Sequence, residues 1–201
     1  MKIGVLSLQG GFAEHVGLLS QLGQDVPSVR RVEDLYGLDG LVIPGGESTT
    51  IVKLMNSYGL LEPLRDLARE GLPVMGTCAG LIVLGREGSG RLLETLDVMN
   101  VNVVRNAFGR QVDSFEVELE IAVLGHRPFR CIFIRAPMIQ TVGSGVEVLA
   151  RLSDGNPVAV VDRNLLGASF HPELTSDMRF HEHFLKIVHR RKKKIRQSQI
   201  P

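Results

Sequence analysis

Cys78 sits at the centre of Gly76-Thr77-Cys78-Ala79-Gly80, two residues from a glycine on either side. A short apolar run precedes it and another follows, so the pattern reads as strand, sharp turn, helix. A turn of that kind crowds the backbone, and side chains at the flanking positions would collide there. It can hold the nucleophile itself in a strained conformation. It also sets the sulfur at a helix N-terminus, where the dipole and free amides favour a thiolate. The amide of Ala79 is left available to an oxyanion. The chemistry this suits is attack on a carboxamide carbon. Cys131 is the contrast: it lies inside Cys131-Ile132-Phe133-Ile134, without glycines, and reads as a small buried hydrophobe.

A nucleophilic cysteine needs a base, and the base needs a group that orients it. Phe170-His171-Pro172-Glu173 supplies both types. Pro172 disfavours helix at His171 and pushes it toward an extended conformation. Residues two apart in an extended chain face the same way, so His171 and Glu173 are expected on one side, at the end of a strand over 166–170. His15 falls in a helical pattern and His126 in a turn, so neither competes as the base. His181 and His183 are two apart on an expected helix and point to different faces, which argues against a shared metal, as does the lack of a C-x-x-C pair.

The elements that must position these groups follow from the patterning. The expected strands are 3–8, 40–43 and 73–75, alternating with helices over 13–22, 48–58 (capped by Ser48 or Thr49), 60–70 and 78–84. Beyond residue 95 the pattern turns to strands: 98–104, 114–121, 130–134, 146–149, 158–161 and 166–170. In 114–121 Phe115, Val117, Leu119 and Ile121 alternate with Glu116, Glu118 and Glu120, the signature of one wet face. A last helix follows Leu174, with Ser176 or Asp177 as cap. Alternating strands and helices imply a mostly parallel sheet covered by helices on both faces, with antiparallel pieces at an edge. Active sites form at the strand ends of such sheets.

Composition narrows the class further. A chain of 201 residues, 44% hydrophobic and 22% charged, suits one globular α/β domain and excludes a disordered chain. No apolar stretch approaches the ~18 residues that span a bilayer. The N-terminal apolar run is too short for a signal core, so the chain reads as cytoplasmic. Two cysteines allow a disulfide by count, but a cytoplasmic setting argues against one. The net charge of +1 hides a basic tail: 189–201 carries six Lys/Arg and no acid, on a body that is net acidic. A boundary is expected at 188, followed by a frayed, solvated helix end whose cations suit the helix dipole; contact with an acidic partner is the alternative. Without interleaved aromatics the run argues weakly for nucleic acid.

Taken together, the Cys78 turn and Phe170-His171-Pro172-Glu173 resemble the class I, triad-type glutamine amidotransferases. Further stretches are similar to the glutaminase subunit of pyridoxal 5′-phosphate synthase: Leu8-Gln9-Gly10 with Glu14-His15, Pro44-Gly45-Gly46-Glu47-Ser48-Thr49-Thr50, the run from Arg105 to Glu116, and Phe133-Ile134-Arg135-Ala136-Pro137. The likeness runs from about residue 2 to residue 188 and omits the basic tail. It implies a three-layer, flavodoxin-like α/β fold. It implies hydrolysis of glutamine to glutamate and ammonia through a thioester, and channelling of the ammonia to a (β/α)8-barrel synthase subunit for vitamin B6 biosynthesis. The partner assembly would be built on a synthase dodecamer, the glutaminase would be active mainly when docked on it, and it would need no cofactor.

By position the resemblance assigns Cys78 as nucleophile and His171 with Glu173 as the rest of the triad. Gly46, Glu47 and Ser48 match a first glutamine-contacting stretch, Arg105 a second, and Ile134 with Arg135 a third. Gly46 and Ala79 would hold the oxyanion. The chemistry agrees in part: Pro44-Gly45-Gly46 lets amides approach a ligand closely, and a guanidinium suits an α-carboxylate. Pro44–Thr50 lacks the G-x-x-x-x-G-K spacing of a nucleotide loop. For Arg105 or Arg135 without the motif, a surface ion pair is the alternative. A free-standing cysteine amidohydrolase or peptidase on the same fold is the alternative activity.

Overall fold

Residues 1–88, 93–105 and 114–198 are described by the structure, a computed structural model. In chain order the elements are β1 (Ile3–Leu6), α1 (Phe12–Gln21), β2 (Ser28–Val29), β3 (Gly40–Ile43), α2 (Ser48–Ser57), α3 (Leu61–Arg69), β4 (Val74–Thr77), α4 (Ala79–Leu84) and β5 (Arg86–Glu87). There follow β6 (Val101–Val104), β7 (Ser114–Leu119), β8 (Phe129–Ile134), β9 (Met138–Val142), β10 (Glu147–Arg151), β11 (Pro157–Asp162), β12 (Leu165–Ala168) and α5 (Arg179–Ser198).

Among the described residues the main sheet has seven strands in the order β10-β11-β12-β4-β3-β1-β2. From β12 to β2 every pairing is parallel; β10 and β11 add an antiparallel edge. Strand alternation splits the apolar residues between two layers. Ile3, Val5, Val42, Met75 and Leu166 face a core completed by Leu19 of α1 and Phe180 and Phe184 of α5. Leu6, Ile43 and Val74 face the other core, with Ile51 of α2, Leu64 of α3 and Leu81 of α4. The result is the three-layer, mostly parallel sheet that the alternation predicts. The β7–β8 hairpin extends the first layer, through Phe129 and Phe133, and the small sheet β5-β6-β9 extends the second, through Val101 and Ile139.

Several local expectations shift. Residues 98–100 are not strand: the amides of Val98 and Met99 donate to the Leu84 carbonyl at 3.0 and 3.1 Å, closing the end of α4. The strand before His171 stops at Ala168. The wet strand stops at Leu119, and Ile121 turns into the core ahead of a 3-10 turn. β2 and β5, of two residues each, are too short to show a period, and β9 blurs its alternation with Gln140-Thr141. The α2 cap is Glu47, not Ser48 or Thr49: its carboxylate accepts the Thr50 amide at 2.8 Å and both neighbouring threonine hydroxyls. Last, α5 passes through 188 without a break and continues to Ser198. Lys192 bonds Asp39 at 2.7 Å, and Arg191 reaches the Glu70 carbonyl at 3.3 Å, so this part of the basic segment is docked on the body. Residues 199–201 lie outside the described residues.

Candidate active site

The parallel strands deliver the chemistry at their C-terminal ends, where β1, β3, β4 and β12 open into loops. Cys78 follows β4 directly, with φ 49° and ψ −105°, a region rarely occupied by a non-glycine residue. Its amide is tied to the Ala168 carbonyl of β12 at 2.8 Å. The flanking glycines are a packing requirement. A Cβ on Gly80 would lie 2.0 Å from the Ile43 carbonyl oxygen, and one on Gly76 would lie 2.5 Å from the Gly80 carbonyl oxygen. Helix and strand therefore meet backbone to backbone at the elbow. The sulfur is buried, 3.8 Å from the Ile134 carbonyl oxygen of β8.

His171 is held by its own amide, which donates to Ile132 of β8 at 2.8 Å. Its ring Nδ1 lies 2.6 Å from Glu173 Oε1. The two do meet, but not along an extended chain. His171 has φ −105° and ψ 86°, and Pro172 opens a 3-10 turn, Pro172–Leu174, which curls Glu173 back under the ring. Proline suits that first position because its missing N–H would have no helical partner anyway. Burial works against a charged ring at His171. Hydrogen bonds to Cys78 and Glu173, and the charges of both, outweigh it and hold the imidazole up at about 10. Cys131 is the opposite case: it is fully buried, and burial pushes its thiol up to about 12.

The glycine loop after β3 forms the adjoining wall. A Cβ on Gly45 would lie 2.3 Å from His171 Cε1 and 3.4 Å from Cys78 Cβ, so bare backbone faces both side chains. Two bonds staple this loop to the loop after β1: the Gly11 amide to the Gly45 carbonyl at 3.0 Å, and the Glu47 amide to Gln9 Oε1 at 2.8 Å. Glu47 spends its carboxylate on capping α2; burial opposes its charge, but bonds from Thr49 and Thr50 hold it below the usual carboxylate range. Ser48 is buried beside it. Ile134 sets its carbonyl near Cys78, and Arg135 follows with φ 44°. Arg105 faces Glu87 of β5, Nε to Oε1 at 3.6 Å, the ion pair that is its alternative reading. Of the rest of its motif, 106–113 lie outside the described residues, and Ser114 to Glu116 open β7.

The sequence reading sets His15 and His181 aside, yet His15 stands directly behind Glu173, with His181 behind it. His15 is fully buried; its Nδ1 is 2.9 Å from His181 Nε2 and its Nε2 is 3.2 Å from Thr77 Oγ1 and 3.4 Å from Glu173 Oε2. The available signal was a histidine on the apolar face of α1, which by itself says nothing about what it meets.

The fold recurs among solved structures. One titled crystal structure of glutamine amidotransferase has a TM-score of 0.87 at 50% identity over 93% of this chain and 98% of that one. The structure of PurLQS from Thermotoga maritima, 12% identical, reaches a TM-score of 0.65 and shares the fold alone. The architecture is thus that of the glutamine amidotransferases. More narrowly, the chain belongs to the SNO glutamine amidotransferase family, whose model matches residues 5–190. It is 54% identical over 190 residues to a protein of Dehalococcoides mccartyi, covering 94% of this chain and 97% of that one. It is 53% identical over 197 residues to one of Corynebacterium jeikeium, covering 95% and 98%. Both relatives are named pyridoxal 5′-phosphate synthase subunit PdxT.

Proposed function

We propose that this chain is the glutaminase of a pyridoxal 5′-phosphate synthase, acting through Cys78, His171 and Glu173. The observation that carries the reading is the strained Cys78 elbow set against a His171–Glu173 pair in a family of glutamine amidotransferases. The Cys78 sulfur adds to the side-chain carboxamide carbon of glutamine. The oxygen takes the negative charge and is held by the amides of Ala79 and Gly46, a donor of this kind being worth about 3 kcal/mol. The C–N bond then breaks as His171 delivers a proton to nitrogen, releasing ammonia and leaving a thioester on Cys78. Water adds to the thioester carbon while His171 takes its proton, and glutamate leaves as the S–C bond breaks. Glu173 keeps the imidazole in the tautomer that faces the sulfur. Gly46, Glu47 and Ser48, the backbone of Ile134 and Arg135, and the Arg105 guanidinium are the groups proposed to hold the amino acid.

The ammonia is passed to a (β/α)8-barrel synthase subunit in an assembly built on its dodecamer. The staples from Gly11 and Gln9 to the Gly45–Glu47 loop suggest how docking acts: a partner that moves the first loop reorients the Gly45–Gly46 peptide and with it the oxyanion donor. Ammonia release from glutamine, assayed with and without a candidate synthase subunit, tests both parts. Cys78→Ala is expected to abolish release, and wild type to depend on the partner. Normal turnover by Cys78→Ala would end the triad reading, and full activity of the chain alone would end the docking reading in favour of a free-standing amidohydrolase.

A further inference from the structure

Behind Glu173 the polar contacts continue into the protein. Oε1 of its buried carboxylate is committed to His171, while Oε2 has no hydrogen-bond partner of good geometry. Facing Oε2 at 3.4 Å is Nε2 of His15, a fully buried ring on α1. The same nitrogen lies 3.2 Å from the hydroxyl of Thr77, the residue before the nucleophile. One imidazole therefore touches both the turn that carries Glu173 and the strand that carries Cys78. Its other nitrogen meets Nε2 of His181, on α5, at 2.9 Å. His171 is the remaining titratable group felt at His15.

Which nitrogen of His15 carries the proton follows from counting donors. Both rings are neutral: burial, reinforced by His181 and His171, drives His15 well below 6.5, and burial takes His181 to about 4. Each ring then has one N–H. If His15 donated through Nδ1, its bare Nε2 would face the carboxylate lone pairs of Glu173. His181 would also have to carry its proton on Nδ1, a buried atom without any partner. In the reverse arrangement His181 Nε2–H donates to His15 Nδ1, and His15 Nε2–H is aimed between Glu173 Oε2 and Thr77 Oγ1. The group left unpaired is then only the Nδ1 lone pair of His181, and a bare acceptor costs less than a bare donor.

We propose that His15 is a positioning residue for the glutaminase reaction: its Nε2–H, set by His181, anchors the free oxygen of Glu173 and so fixes the plane in which Glu173 meets His171. It touches neither substrate nor sulfur, and the assignment rests on the triad reading above.

The test compares wild type, His15→Phe, which fills the site without a donor, and His15→Gln, whose amide N–H can reach the same point. Ammonia release is measured with the synthase subunit present, and the low-field ring proton of His171, bonded to Glu173, is followed by NMR in the full chain. His15→Phe is expected to lose at least tenfold in kcat with KM for glutamine within twofold, and to shift or broaden the His171 resonance. His15→Gln is expected to recover kcat to within about threefold and to restore the resonance. Unchanged kcat in His15→Phe overturns the proposal, as does equal loss in both variants with an unmoved resonance, since that is the mark of a space-filling role. Should His15→Phe not fold, His181→Phe decides: a loss of threefold or more in kcat with a shifted resonance supports the proposal, and wild-type behaviour overturns it. Cys78→Ala in the same assay separates the two readings, because turnover retained there overturns the triad itself rather than the role of His15.

Discussion

His171 titrates far from an ordinary histidine, and the sign of the consequence is fixed. Its folded value of about 10 lies above the ordinary 6.5, because bonding to Cys78 and Glu173 outweighs burial. A raised value adds stability that is complete below about pH 6.5 and fades as pH rises through 10. Urea unfolding of wild type and His171→Gln across pH 6 to 10.5 should therefore show a gap that is widest at the acid end and closes near 10. A gap that widens with pH would contradict the pairing. Cys131 separates burial from catalysis. Cys131→Ala should lower stability by about 1 kcal/mol, as typical for a core truncation, while ammonia release stays near wild type.

At the scale of elements, the elbow depends on contact between backbones. The glycine spacing around Cys78 was legible as a strand-to-helix turn, and the turn is there. What it packs against was not legible: the Ile43 carbonyl of β3 lies where a Gly80 side chain would go. Gly80→Ala must push α4 off β3 and displace Cys78, so turnover should fall at least tenfold with a lower unfolding midpoint; wild-type turnover would refute the contact. The His171–Glu173 pair teaches a related point. The residue types and the influence of Pro172 were readable, but an extended chain was the wrong reason for their meeting. A proline can leave its predecessor non-helical and still begin a 3-10 turn, and here that turn makes the contact.

For the whole molecule, the basic C-terminal segment shows how composition misreads a helix end as frayed. Six cations without an acid read as a solvated end after 188. Yet α5 continues, and Lys192 reaches Asp39, just ahead of β3, while Arg191 reaches the carbonyl of Glu70, at the end of α3. The Lys192–Asp39 pair is part-exposed and worth at most about 1 kcal/mol. Truncation before Arg190 should lower the unfolding midpoint by several degrees and leave the kcat of the folded fraction intact. Truncation after Arg196 should leave both unchanged. If the two truncations behave alike, those contacts carry no weight.

The sequence by itself determined the strand–helix alternation, the layered α/β architecture, the Cys78 elbow and the residue types of the proposed triad. All of these are encoded in short windows, where periodicity, glycine placement and proline act on neighbours. Only the tertiary structure decided what stands behind Glu173. Burial marks a histidine as enclosed, but a pairing between residues 15 and 181 is 166 positions long, and no local pattern records it. The packing of α1 and α5 against one face of the sheet brings those rings together, and with them the carboxylate oxygen that Glu173 does not spend on His171.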